Sequence, residues 1–209
     1  ATPAIAVAII MAQAIQKAYP DFELPIVAHM ASDLRLGVTN QNTFRNCVGS
    51  IALPVNQPIV DDEDFTAVAT EFRNLIKQSK QISNLRANVN QMANLFEKLD
   101  SLPTIEAKQQ MLSFFENILL NTFIISYSGQ TKLGELEQYI DEMHTYMSGT
   151  NGLSIEMLAI NGGISVDILQ SFESDVYVKD FTDILAANNI DFKINDTVLF
   201  EVPNDKLSR

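Results

Sequence analysis

The chain has 209 residues and a mass of 23.2 kDa, enough for one sizeable domain with its own hydrophobic core. Its 46% hydrophobic and 19% charged content supplies the apolar surface needed to offset ordering entropy, which excludes an intrinsically disordered chain. The 14 basic and 26 acidic side chains leave a net charge of −12, and a surface of that sign repels phosphate backbones and anionic lipid headgroups, so no nucleic-acid partner is expected.

Thr2-Pro3 makes a helix start, a hydroxyl cap followed by proline in the first turn, and Ala4 to Ala18 places Ile5, Ile9 and Ala12 at helical spacing. The longest unbroken apolar run, Ala4 to Ala12, is nine residues, whereas a bilayer needs about 20; a deeply buried helix is expected, and no membrane span. Pro20 ends it. Leu24 to Ala31 then reads as a mostly apolar strand of the kind found in a covered sheet. A loop from Asp33 to Asn46, rich in Asn and Thr, leads to a second strand, Cys47 to Val55, carrying Val48, Ile51 and Leu53.

From Asp61 the period is helical. Phe65, Val68, Phe72, Leu75, Ile76 and Ile82 form one stripe, and the acids at its start suit the positive end of a helix. After a break expected near Ser83-Asn84, a second helical pattern runs through Leu85, Val89, Met92, Leu95, Phe96 and Leu99. Pro103 marks the next boundary, and Ile105 to Leu120 is a third helical stretch with Leu112, Phe115, Ile118 and Leu119 on one face. Heptads are not sustained across the breaks, which argues against a coiled-coil array.

Thr122 to Tyr127 is β-branched and aromatic, a strand composition. Leu153 to Ile160 and Ile164 to Leu169 flank Asn161-Gly162-Gly163, a hairpin turn because Asn and Gly accept positive φ. Glu135 to Met147 fits a helix through Leu136, Tyr139, Ile140, Met143 and Met147, yet its Tyr and Thr content and the Gly-Thr-Asn-Gly that follows favour a hairpin, so strand is expected. Tyr177 to Asn188 is a helix, and Asp191 to Ile194 and Thr197 to Val202 close the chain as short strands around Asn195-Asp196. The sum is a single α/β domain of α+β type: a two-layer sandwich of a mixed, largely antiparallel sheet with helices on one face.

Few residues carry chemistry on their own. His29 and His144 are the two histidines, and without cysteine partners no metal site is expected. His29 and Asp33 match H-x-x-x-D, in which a histidine serves as general base, although Leu34 follows where glycine would, and a core or edge histidine fits equally well. Cys47 is the sole cysteine; a disulfide framework is excluded, a reducing cytoplasm is the simplest compartment, and a small buried side chain is the simplest role. Ser126, in Phe-Ile-Ile-Ser-Tyr-Ser-Gly, lacks the nucleophile elbow of hydrolases but could donate to an oxyanion. The acidic runs Asp61 to Asp64 and Glu135 to Glu137 read as solvated faces or helix ends.

Three stretches taken in order narrow the field: the helix Ala4 to Ala18 with Tyr19-Pro20, Pro25 to Asp33-Leu34-Arg35, and Asn42-Thr43-Phe44-Arg45-Asn46-Cys47-Val48-Gly49-Ser50. Their succession resembles the start of the C-terminal half of the chloramphenicol acetyltransferase-like superfamily, which includes condensation domains and alcohol acyltransferases. Asn121 to Gly129 is similar to that family's strand beside the acyl tunnel, and Gln170-Ser171-Phe172 with Tyr177 to Leu185 resembles its last strand and helix. The resemblance implies two half-domains facing each other across a tunnel, with the catalytic histidine of an H-x-x-x-D-G motif in an N-terminal half that this chain lacks, and it makes the His29 match accidental. It implies that Ser126, Tyr127 and Asn46 lie at the acyl tunnel, Ser126 near the thioester carbonyl and Asn46 ordering the adjacent loop, and that Asp33 and Arg35 are structural; Tyr127 stands where Asn is common in relatives. No tightly bound cofactor is implied; acyl-CoA or a carrier-bound thioester would be the co-substrate and a small molecule with a hydroxyl or amine the acceptor.

Three functions therefore compete. The first is an acyltransferase C-terminal domain, nearly inactive alone, whose partner is the missing half and whose uncovered apolar face would favour self-association. The others are a non-catalytic α/β binding module and a small self-sufficient enzyme using His29 with Asp33. The start at Ala1, without an initiator Met or a leader, leads us to expect a processed chain or a piece of a longer one.

Overall fold

A computed structural model describes residues 2–21, 23–38, 42–118, 121–147 and 152–199. Among these residues the fold is α+β, a five-stranded mixed sheet with helices. Helix α1, Pro3–Ala18, is the centre of the core: Ile5, Ala8, Ile9, Met11, Ala12 and Ala14 are almost wholly inaccessible. Its alternation of Ala with Ile lets neighbouring elements approach closely, and α2 (Asp62–Ser79) and α5 (Val176–Ala187) flank it against the sheet. Gln13 and Gln16 fasten α1 to the segment before α2 through Ile59 and Gln57, and Lys17 pairs with Asp180 of α5 at 2.7 Å. The Thr2 hydroxyl does not cap α1; its carbonyl accepts from Ala6 N instead, and Pro3 already removes one donor that a cap would serve.

The strands are β1 (Ile26–Asp33), β2 (Val48–Val55), β3 (Phe123–Gln130), β4 (Leu153–Ile160) and β5 (Gly163–Gln170), in spatial order β2-β1-β3-β4-β5. β1–β2 and β4–β5 are antiparallel, while β1–β3 and β3–β4 are parallel. The expectation of a largely antiparallel sheet is thus corrected to an even mixture. Two long connections cause it: the helical excursion between β2 and β3 sets β3 beside β1, and the stretch from Gln130 to Leu153 is long enough to bring β4 back parallel to β3. Asn161 (φ 49°) and Gly162 (φ 81°) form the two-residue turn that joins β4 to β5.

α2 starts at a carboxylate cap, Asp61 accepting from Asp64 N while Asp64 accepts from Val60 N. The break before α3 (Ile82–Ser101) falls at Lys80-Gln81, slightly earlier than the sequence suggested, so Ile82 opens the new helix and does not extend the α2 stripe. α3 rests on a 3-10 turn, Arg35–Gly37, where a Cβ on Gly37 would meet the Leu85 backbone at 2.9 Å; only glycine permits that approach. α4 (Ile105–Ile118) follows, with Ile105, Leu112 and Phe114 exposed. Leu119 and Leu120, expected at its end, lie outside the described residues.

Two expected strand regions are not strands. Gly134–Tyr139 is a 3-10 helix, and residues 140–147 run on without regular structure. Both edges of β4 are already occupied, by β3 and β5, and local bonds hold the segment in another shape: the Glu137 carboxylate accepts from Leu133 N and the Thr131 hydroxyl, and the Asn161 amide donates to the carbonyls of Glu137 and Ile140. Residues 190–199 likewise form no strand, and their apolar side chains Ile194, Val198 and Leu199 are exposed; the expected continuation to Val202 lies outside the described residues. No described helix is long and apolar enough to cross a membrane.

Candidate functional site

Alternation assigns the two faces of the sheet. Ile26, Ala28, Phe123, Ile125, Leu153, Ile155 and Met157 belong to the core under the helices, so the residues between them point the other way. That second face carries His29 and Ala31 on β1, Ser50 and Ala52 on β2, Ser126 and Ser128 on β3, Ser154 and Glu156 on β4, and Asp167 on β5. It has two zones.

Over β2, β1 and β3 the face is more open: Ser50, Ala52 and Ser128 are exposed, and His29, Ile124 and Ser126 are half-buried, although Val27 on the same face is buried. His29 sits beside Ile124 in the β1–β3 register, which puts Ser126 diagonally next to it on the neighbouring strand. His29 Nδ1 lies 3.3 Å from Ser50 Oγ. Asp33 is four residues further along the same strand, about 13 Å away, and its carboxylate accepts from the Arg35 guanidinium and backbone amide, both at 3.0 Å. The strand thus sets His29 and Asp33 apart by about four strand residues, whereas Asp33 and Arg35 are joined in an exposed turn.

Ser126 and Tyr127, both expected at a tunnel wall, project to opposite faces as consecutive strand residues must; Tyr127 packs against the core. Asn46 is exposed in the loop before β2, where its side chain accepts from Val48 N at 3.0 Å and shapes the strand entry. Val38, Thr43, Arg45, Asn46 and Cys47 line an open depression at this end of the sheet. Cys47 is half-buried, and its carbonyl accepts from Leu34 N.

Over β4 and β5 the face is covered. Ser154, Glu156, Leu158 and Ile160 are all buried, and the strap of residues 133–147 is tied here by Asn161 and by His144, whose Nδ1 lies 2.7 Å from Asp167 Oδ1. Thr145 N donates to the other Asp167 oxygen. Glu156 pairs in register with Ser126 on one side and Asp167 on the other and accepts from Ser154 Oγ at 3.1 Å. On the strap, Glu142 is held below the usual carboxylate range, first by the Asn195 amide and then by the Lys193 ammonium. At the far end of β5, the buried Tyr177 donates to Gln170; burial, with the charges of Tyr19 and Asp175, raises its phenol pKa.

Sequence reasoning missed the row Ser154, Glu156, Asp167 and His144. The signal was present: Glu156 is the one charge in a mostly apolar strand, and the two-residue turn at Asn161-Gly162 fixes a register that sets Asp167 opposite it. The partner of that row, His144, arrives through an irregular segment whose path no periodicity encodes. Among the described residues no group of three or more His, Cys, Asp or Glu side chains could hold a metal ion. Comparison with protein-family models, curated proteins and solved structures gives no match.

Proposed function

We propose that this chain is the C-terminal half of an acyltransferase, which moves an acyl group from acyl-CoA or a carrier-bound thioester to a hydroxyl or amine with a general base supplied by an N-terminal half. One observation carries the reading beyond the resemblance of the ordered stretches. The Ser126 hydroxyl is half-buried on the more open zone of the sheet and makes no side-chain hydrogen bond among the described residues. A hydroxyl held on a rigid strand, open towards a facing partner, is suited to donate to the oxyanion formed when a thioester carbonyl is attacked.

Removing the proton of the acceptor needs a base, an effect worth about 10²–10⁴ in rate. His29 faces Ser50 and stands four residues before Asp33 on the same strand; following the resemblance, the base is assigned to the other half. The test is thiol release from a chromogenic acyl thioester with a nucleophilic acceptor present. The isolated chain gives release no faster than solvent, and His29→Ala leaves it unchanged. Release by the isolated chain that His29→Ala abolishes would establish the self-sufficient enzyme in its place.

A further inference from the structure

The ladder between β1 and β2 fixes which backbone groups of β2 turn outward. One step beyond its Asp33–Val48 end, Leu34 N donates to the Cys47 carbonyl, and bonded pairs alternate with unbonded ones in an antiparallel ladder. Val27, opposite Pro54, accordingly directs both its groups the other way: its N–H donates to the Thr122 hydroxyl and its carbonyl accepts from Thr122 N. Val48, Ser50, Ala52 and Pro54 therefore turn their backbone groups away from β1, and no described strand lies beyond them.

Both ends of this row are blunted. Val48 N already donates to the Asn46 side chain at 3.0 Å, and Pro54 has no N–H to offer. Between them Ser50 and Ala52 keep both groups open, since no turn or side-chain bond reaches their backbone among the described residues. Edge strands are usually shielded by charge, a bulge or brevity. β2 is eight residues long, pairs with β1 without a register shift and contains no charged residue. The side chains at the two open positions are small and exposed, so a neighbouring chain can approach to strand spacing.

The charges nearby select that neighbour. Residues 34–60 hold Arg35 and Arg45 and no acid, and residues 72–96 hold Arg73, Lys77, Lys80 and Arg86 and no acid, in a chain of net charge −12. The two segments meet where β2 begins: Gly37 lies against Leu85, and Asp33, four residues before Gly37, is paired with Val48. Arg35 is taken by Asp33, but Arg45, Lys80 and Arg86 are exposed and form no ion pair among the described residues. A second copy pairing through its own β2 would bring Arg45 and no carboxylate, so complementarity favours a different occupant. We propose that the β2 edge receives an extended acidic polypeptide segment as a sixth strand: its backbone pairs with Ser50 and Ala52, and its carboxylates lie beyond Val48 against Arg45, Lys80 and Arg86.

Two blocked peptides, Glu-Glu-Glu-Thr-Val-Thr-Val-Thr and its reverse sequence, probe the edge of the full chain in both strand directions, with the protein's backbone amides followed by NMR. One of them binds with a Kd of about 1 mM or tighter and moves the Ser50 and Ala52 amides more than those of α1. Replacing its Glu residues by Lys, or raising the salt to about 1 M, weakens binding about tenfold or more, and N-methylating its Thr-Val backbone abolishes it. Ala52→Pro deletes an outward N–H that no described bond uses, and it abolishes binding too. Arg45→Glu combined with Arg86→Glu changes only exposed side chains, weakens binding about tenfold, and decides the matter should Ala52→Pro fail to fold. Ser50 and Ala52 amides that neither acidic peptide moves, or binding that N-methylation or the charge reversal leaves intact, overturn the proposal. So does a chain that self-associates in sedimentation with those two amides protected before peptide is added, which would seat a second copy there. No arm contains a thioester, so the outcome is independent of whether the chain transfers acyl groups.

Discussion

Tyr177 shows how one side chain fixes an element. Its ring is 1% exposed, and its hydroxyl donates to Gln170, whose amide in turn donates to the carbonyls of Phe172 and Ser174. The bend between β5 and α5 is thereby closed by a single glutamine. Tyr177→Phe leaves the Gln170 oxygen without its donor, a loss of about 1–3 kcal/mol, and thermal unfolding should fall by about 2–4 °C per kcal/mol for a chain of this size. An unchanged melting temperature would show that the bend is held by packing alone. Tyr177 was readable as the start of a helix. Its partner was not, since a bond between a strand end and the following helix depends on the angle of the bend. The same distinction separates Asp33 and Arg35, two residues apart in the chain and joined within one turn, from Asp167 and His144, which meet only through tertiary structure.

At the scale of elements, sequence pattern located the five α-helices and the strands β1 to β5 of the described residues to within a few residues, because each carries a regular or continuous apolar pattern, β4 being buried along its whole length. It failed for residues 134–147 and 190–199, where apolar and polar residues alternate without an edge to pair with. These two segments are instead joined by Glu142, which Lys193 reaches at 3.6 Å and Asn195 at 3.5 Å. Because the Glu142 carboxyl is held below its ordinary range, the junction is complete above the ordinary carboxylate pKa and is lost as pH falls through the lowered value. Asn195 side-chain amide resonances followed from pH 6 to 3 should move with a midpoint below that of a free glutamate, and the movement should vanish in Glu142→Gln. A midpoint at the ordinary value would mean that the contacts do not form in solution.

For the whole molecule, the asymmetry of the sheet matters most. One face is sealed by α1, α2 and α5; the other is half strapped and half open. The open zone mixes small and hydroxylated side chains with Val48, which is exposed, and Ile124, while other large exposed apolar groups, among them Phe44, Tyr139 and Phe96, are dispersed over loops, strap and α3. The sequence could not show this, because strand alternation reports which residues share a face but not what covers that face. On the proposed function, the partner half that brings the base and excludes water would dock on this zone beside Ser126. The decisive measurement is acyl transfer from a thioester by this chain mixed with, or fused to, an N-terminal half bearing H-x-x-x-D-G. The account predicts product only when both halves are present, with a lower rate for Ser126→Ala; an equal rate with and without that half, or no product from a folded two-half protein, would contradict it.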